Sequence, residues 1–257
     1  MTISTRPVEL RDILGMQVAD YSEREALSFV HACIEQKRYQ PVAFLNANNA
    51  NITWTNPAAA RAFQQFIVLS DGIGVDMAAR LLYGKTFKAN LNGTDFVPML
   101  LKSAVHPLKI GLLGAAPGIA EKALDGFADI DERHDYRLVS HGFFGEAQEA
   151  EFLDALRHWR PDILLVALGV PRQELWISNK LTSDHCTVPV AVGALLDFVA
   201  GNAPRAPMWV RAIRCEWVYR LLFEPARLWR RYLLGNPIFL GRALYQKWAG
   251  GKRRTST

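Results

Sequence analysis

PDILLVALGVPRQELW (residues 161–176) and VPVAVGALLDFVAGNAPRAP (residues 188–207) are the two segments that decide the fold of this 257-residue chain. Each begins with a short apolar run that suits a strand buried on both faces of a parallel sheet. The first run is followed by Gly169 and the second by Gly193, and polar side chains come after both glycines. Because the carboxyl ends of parallel strands line the ligand crevice of an open sheet, these two ends predict a binding site.

Four earlier apolar runs predict further strands of the same sheet. They cover residues 41–46, 66–69, 109–113 and 136–139, and helical patterns alternate with them. Ser22 and Glu25 have the spacing of a capping box, which predicts a helix over residues 22–37. Six strands alternating with helices are typical of the α/β class, so we expect a Rossmann-like parallel-sheet core.

The composition favours a cytoplasmic protein without a membrane-spanning segment. Half of the residues are hydrophobic, which is enough for a substantial core. The three cysteines, Cys33, Cys186 and Cys215, are too few and too scattered for a disulfide framework or a structural zinc site. The N-terminus lacks the apolar core of a signal peptide, and no run approaches the roughly 20 apolar residues of a transmembrane helix.

Positive charge and tryptophan are concentrated at the C-terminus. Residues 205–257 contain 12 basic and two acidic residues, together with four of the seven tryptophans. This pattern predicts a main domain over residues 1–205 and a basic, Trp-rich helical appendage over residues 206–257 that associates with a membrane surface. Nucleic acid is the rival anionic partner, but none of its recognition motifs is present. A solvated helix with tryptophans in the core and a dimer interface are the structural alternatives.

Two short helices are expected in this appendage. The first covers residues 207–223, Pro225 suits the first turn of the second, and the Gly-Asn-Pro segment at residues 235–237 ends it. Arg220, Arg227 and Arg231 would share a face of one continuous helix, but Pro225 argues against such continuity.

An acid followed by a glycine, Asp71-Gly72, closes the second predicted strand. A carboxylate at the carboxyl end of a strand can serve as a general base. The alternative is that Asp71 only caps the helix that begins near Ile73. The residues alone leave both interpretations open.

A glycine-rich turn at residues 114–118, GAAPG, follows the third predicted strand and suits the close approach of a nucleotide. The spacing of Gly111, Gly114 and Gly118 is not that of the dinucleotide fingerprint. The strand that should then end in a ribose-binding acid ends in Ser140-His141 instead. A nicotinamide-dependent enzyme is therefore disfavoured.

Five motifs, in the same order, resemble those of the WecG/TagA/CpsF family of glycosyltransferases. They are Asp71-Gly72, GTD at residues 93–95, GVPRQE at residues 169–174, LDFVAGNAPRAP at residues 196–207 and EWVYRLLFEPAR at residues 216–227. The resemblance covers roughly residues 41–239. It implies an inverting enzyme with a Rossmann-like core that moves a sugar from a UDP-sugar to a polyprenyl-diphosphate-linked acceptor. Residues 1–205 would then be the catalytic domain, and the protein would be peripheral on the cytoplasmic face of the inner membrane.

The resemblance and the position of polar residues and glycines at the strand ends together give the candidate site residues. Asp71 would be the general base, with Asn48 as the second catalytic residue. The nucleotide-sugar site would use Asn46, Gly72, Thr94, Asp95, Gly114, Gly169, Pro171, Gln173 and Glu174. The arginines that would meet diphosphate or lipid are Arg205, Arg220, Arg227 and Arg230.

Asn90 stands where many family members carry an arginine. An arginine would suit a carboxylate on the donor, so its absence argues against a uronic acid. This departure resembles a GumM-like exopolysaccharide branch and favours UDP-glucose as donor. UDP-N-acetylmannosamine and UDP-N-acetylmannosaminuronic acid are the alternative donors.

No DxD-type acidic pair is present, so we expect no cofactor and no obligatory metal. A non-catalytic module that binds nucleotide or lipid is the alternative from another class. The sequence does not predict the oligomeric state.

Overall fold

The computed structural model describes residues 8–203, 205–207, 210 and 216–254, apart from the side chains of Arg227 and of residues 250–254. Eight strands in the described part form one sheet. They are β1 (Leu10–Ile13), β2 (Met16–Ala19), β3 (Val42–Leu45), β4 (Ile67–Ser70), β5 (Lys109–Gly114), β6 (Asp135–Ser140), β7 (Ile163–Ala167) and β8 (Val188–Ala191).

The strand order across the sheet is β1-β2-β4-β3-β8-β7-β5-β6. Every neighbouring pair is parallel except the hairpin of β1 and β2. The predicted α/β class with a Rossmann-like parallel core is confirmed. All strands from β3 to β8 therefore end at the same edge of the sheet, where the loops that follow them meet.

The predicted set of six strands is wrong in omitting β1 and β2. Each has only four residues, and the polar residues Arg11, Asp12 and Gln17 interrupt their apolar pattern. Arg11 is nevertheless buried, because its guanidinium pairs with the buried Asp20. It also donates to the carbonyl oxygens of residues 85 and 86. A charged residue in a strand needs such partners, and a local pattern cannot reveal them.

Helices cover both faces of the sheet. Those before the C-terminal segment are α1 (Glu23–Glu35), α2 (Ala47–Thr55), α3 (Pro57–Phe63), α4 (Ile73–Tyr83), α5 (Gly93–Lys102), α6 (Ile119–Ile130), α7 (Glu146–Trp159), α8 (Arg172–Lys180) and α9 (Leu195–Val199). The predicted capping box of α1 is confirmed, since Ser22 Oγ accepts from the Glu25 N–H and the Glu25 carboxylate accepts from the Ser22 N–H. Asn56, in an extended conformation, separates α2 from α3 and caps α3.

The C-terminal helices extend further along the chain than predicted, and residues 208, 209 and 211–215 of the first predicted helix lie outside the described residues. It contains α10 (Glu216–Phe223), α11 (Pro225–Trp229), a π turn (Arg230–Leu234) and α12 (Gly235–Arg254). Pro225 begins α11 as expected, but the predicted end at residues 235–237 is wrong. In the π turn, the Gly235 N–H donates to the carbonyl oxygen of Arg230. This change of register places Pro237 in the first turn of α12, where its missing N–H costs little.

The last helix packs into the body of the protein. Phe239 and Ala243 are fully buried in the same apolar cluster as Ala47, Val75 and Ala78. The division of the chain at residue 205 stays a prediction, but these contacts make α12 part of the main core.

Polar contacts hold the same helix in place. Arg242 donates to the backbone and side-chain oxygens of Asn51, and Gln246 bonds to Asp12 and to the Leu14 N–H. Within the described residues, no helix combines the length and apolar character needed to cross a membrane.

Candidate active site

Asn46 and Asp71 lie side by side where β3 and β4 end. The Asn46 Oδ1 atom accepts from the Asn49 N–H at 3.0 Å and so caps α2. This bond orients the amide so that its Nδ2 group donates to Asp71 Oδ2 at 3.1 Å. Asp71 itself is not a helix cap, because Gly72 occupies the N-cap position of α4 and no side chain caps that helix. The Asp71 carboxylate is therefore available for another role.

The surroundings of Asp71 raise its pKa above the ordinary value. Desolvation is the largest cause, although part of the side-chain surface remains accessible. The hydrogen bond from Asn46 and the charges of Arg231 and Arg220 act in the opposite direction, while Asp95 adds to the increase. A carboxylate with a raised pKa is a stronger base, which suits general base catalysis.

Asn90 fixes the turn that carries Asp71. Its Oδ1 atom accepts a hydrogen bond from the Gly72 N–H at 2.7 Å. Gly72 has φ near 90°, a conformation that glycine adopts readily and other residues rarely do. Ser70 Oγ donates to the carbonyl oxygen of Ala89, and the Leu91 N–H donates to that of Ser70. The loop around Asn90 is thereby bound to the end of β4.

A cavity of about 360 Å³ lies beside this turn. Asp95, at the start of α5, forms an ion pair with Arg205 at the cavity wall. The other lining residues are Glu23, Asn90, Thr94, Pro98, Met99 and Lys102. The structure thus brings together Thr94, Asp95 and Arg205, although they were assigned to two different parts of the predicted site.

Gln173 and Glu174 lie in the first turn of α8, after β7, and are only 2% and 1% exposed. Gln173 Oε1 accepts from the Gly193 N–H at 3.1 Å, and Gln173 Nε2 donates to Glu174 Oε1 at 2.8 Å. The bond between Gly193 and Gln173 joins the loop that follows β8 to the start of α8 after β7. Burial raises the pKa of Glu174 to about 7, and its Oε2 atom has no partner among the described residues.

The remaining residues assigned to the nucleotide sugar differ in exposure. Gly169 is exposed after β7, whereas Pro171 in that loop and Asn48 in the first turn of α2 are half-buried. Gly114 is buried, and a Cβ atom there would lie 2.3 Å from the carbonyl oxygen of Ala167. Close packing of β5 against β7 therefore requires glycine at this position.

The predicted arginines do not all face Asp71. Arg220 is close enough to lower the pKa of Asp71, and its guanidinium lies 5.2 Å from the Phe198 ring centre. Arg230 is exposed and lies over the ring of Trp229, and the side chain of Arg227 is outside the described residues. Arg231, which was not among the predicted residues, acts on Asp71 more strongly than Arg220. Helical spacing had placed Arg231 on one face with Arg220, but Pro225 argued against a continuous helix, so no role was assigned to it.

Comparison with known proteins gives the same assignment as the motifs. A model of the "Glycosyl transferase WecG/TagA/CpsF family" matches residues 11–253. The protein belongs to this family.

Two bacterial relatives of this family member are both named as N-acetylglucosaminyldiphosphoundecaprenol N-acetyl-beta-D-mannosaminyltransferases. The one from Bacillus spizizenii is 32% identical over 186 residues, which are 72% of this chain and 70% of the relative. The one from Staphylococcus aureus is 26% identical over 245 residues, which are 93% of this chain and 94% of the relative.

In this WecG/TagA/CpsF member, the motifs that identify the family meet at one edge of the sheet. Asp95 at the start of α5 and two C-terminal arginines, Arg220 and Arg231, are close enough to affect the pKa of Asp71, and the Gln-Glu pair lies after β7 at the same edge. Across the described residues, no group of three or more His, Cys, Asp or Glu side chains could hold a metal ion.

Proposed function

We propose that this protein transfers N-acetylmannosamine from its UDP derivative to a sugar carried on a polyprenyl diphosphate. The observation that carries the proposal is the Asp71 carboxylate, held by Asn46 at the strand ends and faced by Arg220 and Arg231. The names of both relatives favour N-acetylmannosamine over UDP-glucose, the donor favoured from the sequence. The same names support an acceptor in which N-acetylglucosamine is the sugar next to the diphosphate.

Asp71 accepts the proton of the acceptor hydroxyl in this mechanism. The hydroxyl oxygen forms a bond to the anomeric carbon while the bond from that carbon to the diphosphate breaks. UDP leaves with the electron pair, on the face opposite to the incoming oxygen. Starting from an α-configured donor, this displacement gives the β linkage in the relatives' names. A positioned general base contributes about 100- to 10,000-fold to such a rate.

Negative charge develops on UDP as it leaves, and arginines near Asp71 can stabilise it. Arg220 is on α10, which passes close to the strand ends, and its charge reaches Asp71. A guanidinium suits this role because it stays charged and can donate two hydrogen bonds to phosphate oxygens. Removing one such stabilising group typically costs about 3–4 kcal/mol in the transition state.

The C-terminal helices supply a surface for the membrane that holds the acceptor. Their exposed apolar side chains include Leu222, Phe223, Leu234 and Trp248, and basic residues alternate with them. Apolar and basic side chains together bind the interface of an anionic bilayer. The exposure of Trp229 and Trp248 argues against a tail whose tryptophans are all in the core. Attachment to the cytoplasmic face of the inner membrane by residues 206–257 is part of the proposal.

The test is transfer by the purified full-length protein. UDP-N-acetylmannosamine, UDP-glucose and UDP-N-acetylmannosaminuronic acid are offered separately, with polyprenyl-diphosphate N-acetylglucosamine in detergent. We expect product from UDP-N-acetylmannosamine and at least a 100-fold loss in Asp71→Asn. Asp154→Asn, an exposed change on α7, is the matched control and keeps full activity.

Four outcomes would contradict the proposal in different ways. Product from UDP-glucose alone would show that glucose, and not N-acetylmannosamine, is the sugar transferred. Full activity in Asp71→Asn would remove the proposed base. UDP binding without turnover of any donor would instead favour a non-catalytic binding module. Loss of activity in EDTA and its recovery with Mg²⁺ would overturn the expected metal independence.

A further inference from the structure

The exposed face of α4 is apolar where the helix begins. Ile73 is 36% exposed and Met77 is 49% exposed, and their spacing of four residues places both side chains on one side of the helix. The acid of the first turn, Asp76, is buried instead and accepts a hydrogen bond from the Phe87 N–H at 3.2 Å. No other acid occurs in α4, so its exposed face offers two large apolar side chains without a carboxylate.

This apolar face begins directly after the proposed base. Asp71 and Gly72 precede Ile73 in the chain, and Gly72 is the N-cap residue of α4. Met77 follows five residues after Gly72, which is about 7.5 Å along the helix axis at a rise of 1.5 Å per residue. A group that leaves the site along α4 therefore meets Ile73 first and Met77 one turn later.

The helices α4 and α12 run side by side in the same direction. Near their N-terminal ends, a Cβ atom added to Gly74 would lie 3.8 Å from the ring of Phe239. Near their C-terminal ends, Tyr83 Oη and Gln246 Nε2 both donate to the carbonyl oxygen of Asp12, at 2.9 Å and 3.1 Å. The apolar start of α4 and the start of α12 therefore lie together, at the edge of the sheet that holds the proposed base.

We propose that Ile73 and Met77 bind the isoprenoid chain of the lipid-linked acceptor, at the end of the chain next to the diphosphate. This inference rests on the proposed function, because that acceptor joins a hydrocarbon chain to the reacting sugar through a diphosphate. The chain is the apolar part of the two substrates, and its burial against apolar side chains is favourable. The main body of the protein thus takes part in lipid recognition, in addition to the C-terminal helices.

The size and position of this face favour a lipid chain over a second protein. Arg80 is the next exposed residue on the same side, three residues after Met77, so the apolar part ends within two turns. Two partly exposed side chains offer far less than the roughly 1,200–2,000 Å² that a stable protein interface buries. A partner protein on Ile73 would also cover Asp71, whose side chain is still partly accessible.

The experiment compares the double variant Ile73→Ser/Met77→Ser with Val105→Ser in the full-length protein. Val105 is an exposed apolar residue on the loop before β5, at the opposite edge of the sheet. Transfer assays in detergent measure kcat/KM for two N-acetylglucosaminyl diphosphate acceptors, one with a polyprenyl chain and one with a short alkyl chain.

We expect the double variant to lose at least tenfold in kcat/KM for the polyprenyl acceptor. Its kcat/KM for the short acceptor and its KM for the UDP-sugar should stay within twofold of the wild type, because neither ligand reaches the apolar face. Ile73→Val/Met77→Leu keeps an apolar face and should recover most of the loss. Val105→Ser should match the wild type with both acceptors.

Other results would overturn the inference. An equal loss with both acceptors would show that the face does not act on the chain. Flotation with anionic vesicles in the absence of acceptor should be the same for the double variant and the wild type, and its loss would assign the face to the bilayer. A dimer that dissociates in the double variant would assign it to a second copy. Met77→Ser alone replaces the double variant if thermal unfolding shows that the latter does not fold.

Failure of the proposed function is distinguishable from failure of this inference. Calorimetry with polyprenyl diphosphate in detergent measures binding of the chain without any sugar transfer. Binding that weakens in the double variant of a protein without transferase activity would keep the inference and discard the function. A normal kcat/KM for the polyprenyl acceptor in the double variant would keep the function and discard the inference.

Discussion

The Nδ2 group of Asn46 donates a hydrogen bond to Asp71 Oδ2 across 3.1 Å and so joins the ends of β3 and β4. The same side chain caps α2 through its Oδ1 atom. Asn46 therefore combines a helix cap with an electrostatic contact to the proposed base. The two roles can be separated by substitution.

Asn46→Ser should keep the helix cap and lose the contact with Asp71. Serine is as good an N-cap as asparagine, but its hydroxyl is too short to reach the carboxylate. We expect the unfolding free energy of Asn46→Ser to stay close to that of the wild type, while kcat falls about 10- to 100-fold, within the range of base catalysis. Asn46→Ala should lose both functions and also unfold about 1 kcal/mol more easily. Equal activities of the serine variant and the wild type would show that the contact of Asn46 with Asp71 does not contribute to catalysis.

The pH dependence of turnover should change when the positive charge of Arg231 is removed. Asp71 must be deprotonated to act as a base, and its pKa lies above the ordinary carboxyl value. Activity therefore rises with pH as Asp71 loses its proton. Arg231→Ala removes a positive charge that lowers this pKa, so the acidic limb of the kcat profile should move to higher pH. Arg230→Ala should leave the limb in place, and a shift of the same size in that variant would contradict the assignment.

Glu174 should make the protein less stable as the pH rises. Its pKa is about 7 in the folded protein, against 4.5 for the free group, so the folded state binds the proton more tightly. Stability should fall between those two pH values, and the full effect is on the order of 3 kcal/mol. Glu174→Gln cannot ionise and should flatten this dependence. Urea unfolding at pH 5, 6, 7 and 8 measures it, and parallel curves for the two proteins would contradict the prediction.

Gly72 and Gly15 provide a matched pair for the Asp-Gly turn. Both have φ near 90°, and a Cβ atom would meet nothing within 4 Å at either position. Alanine at either site should therefore cost only backbone strain, of order 1–3 kcal/mol. Gly72→Ala should also reduce kcat at least tenfold because it moves Asp71, whereas Gly15→Ala in the β1–β2 hairpin should not. Equal activities after correction for the folded fraction would show that the turn tolerates movement.

Exposed apolar residues of the C-terminal helices should determine membrane binding. Trp248 on α12 and Val105 on the loop before β5 are both 77% exposed. Trp248→Ser should reduce flotation with vesicles of anionic phospholipid at least several-fold, because an aromatic ring and its interfacial position are lost. Val105→Ser is the control and should float like the wild type. Equal flotation of all three proteins would remove the Trp248 surface from the proposal.

Sequence patterns predicted the parallel core because β3, β4, β7 and β8 are continuous apolar runs. The strand ends, the Asp-Gly turn and the capping box followed from the same patterns. The β1–β2 hairpin could not be predicted in this way, because the burial of Arg11 depends on Asp20 and on carbonyl oxygens more than 70 residues away.

The effect of Arg231 on Asp71 could not be predicted from the sequence, for a different reason. Pro225 and Pro237 mark helix breaks in a sequence, and between them the register depends on the π turn. A π turn has no strong sequence signature. Which of Arg230 and Arg231 points towards the body of the protein is therefore clear only from the packing of the helices. The hydrogen bond that Gln173 accepts likewise comes from Gly193, which belongs to a loop after another strand.

Phe239 couples the sequence of the C-terminal helix to that of the Asp-Gly turn. A Cβ atom added to Gly74 would lie 3.8 Å from the ring of Phe239 and 3.3 Å from the Cβ atom of Ala47. Ala47 and Gly74 follow closely after Asn46 and Asp71, so three distant positions share one small volume. Among relatives, a larger residue at position 47 or 74 should be accompanied by a smaller one at position 239. A chimera that receives the C-terminal helices of a relative should therefore receive positions 47 and 74 from the same parent.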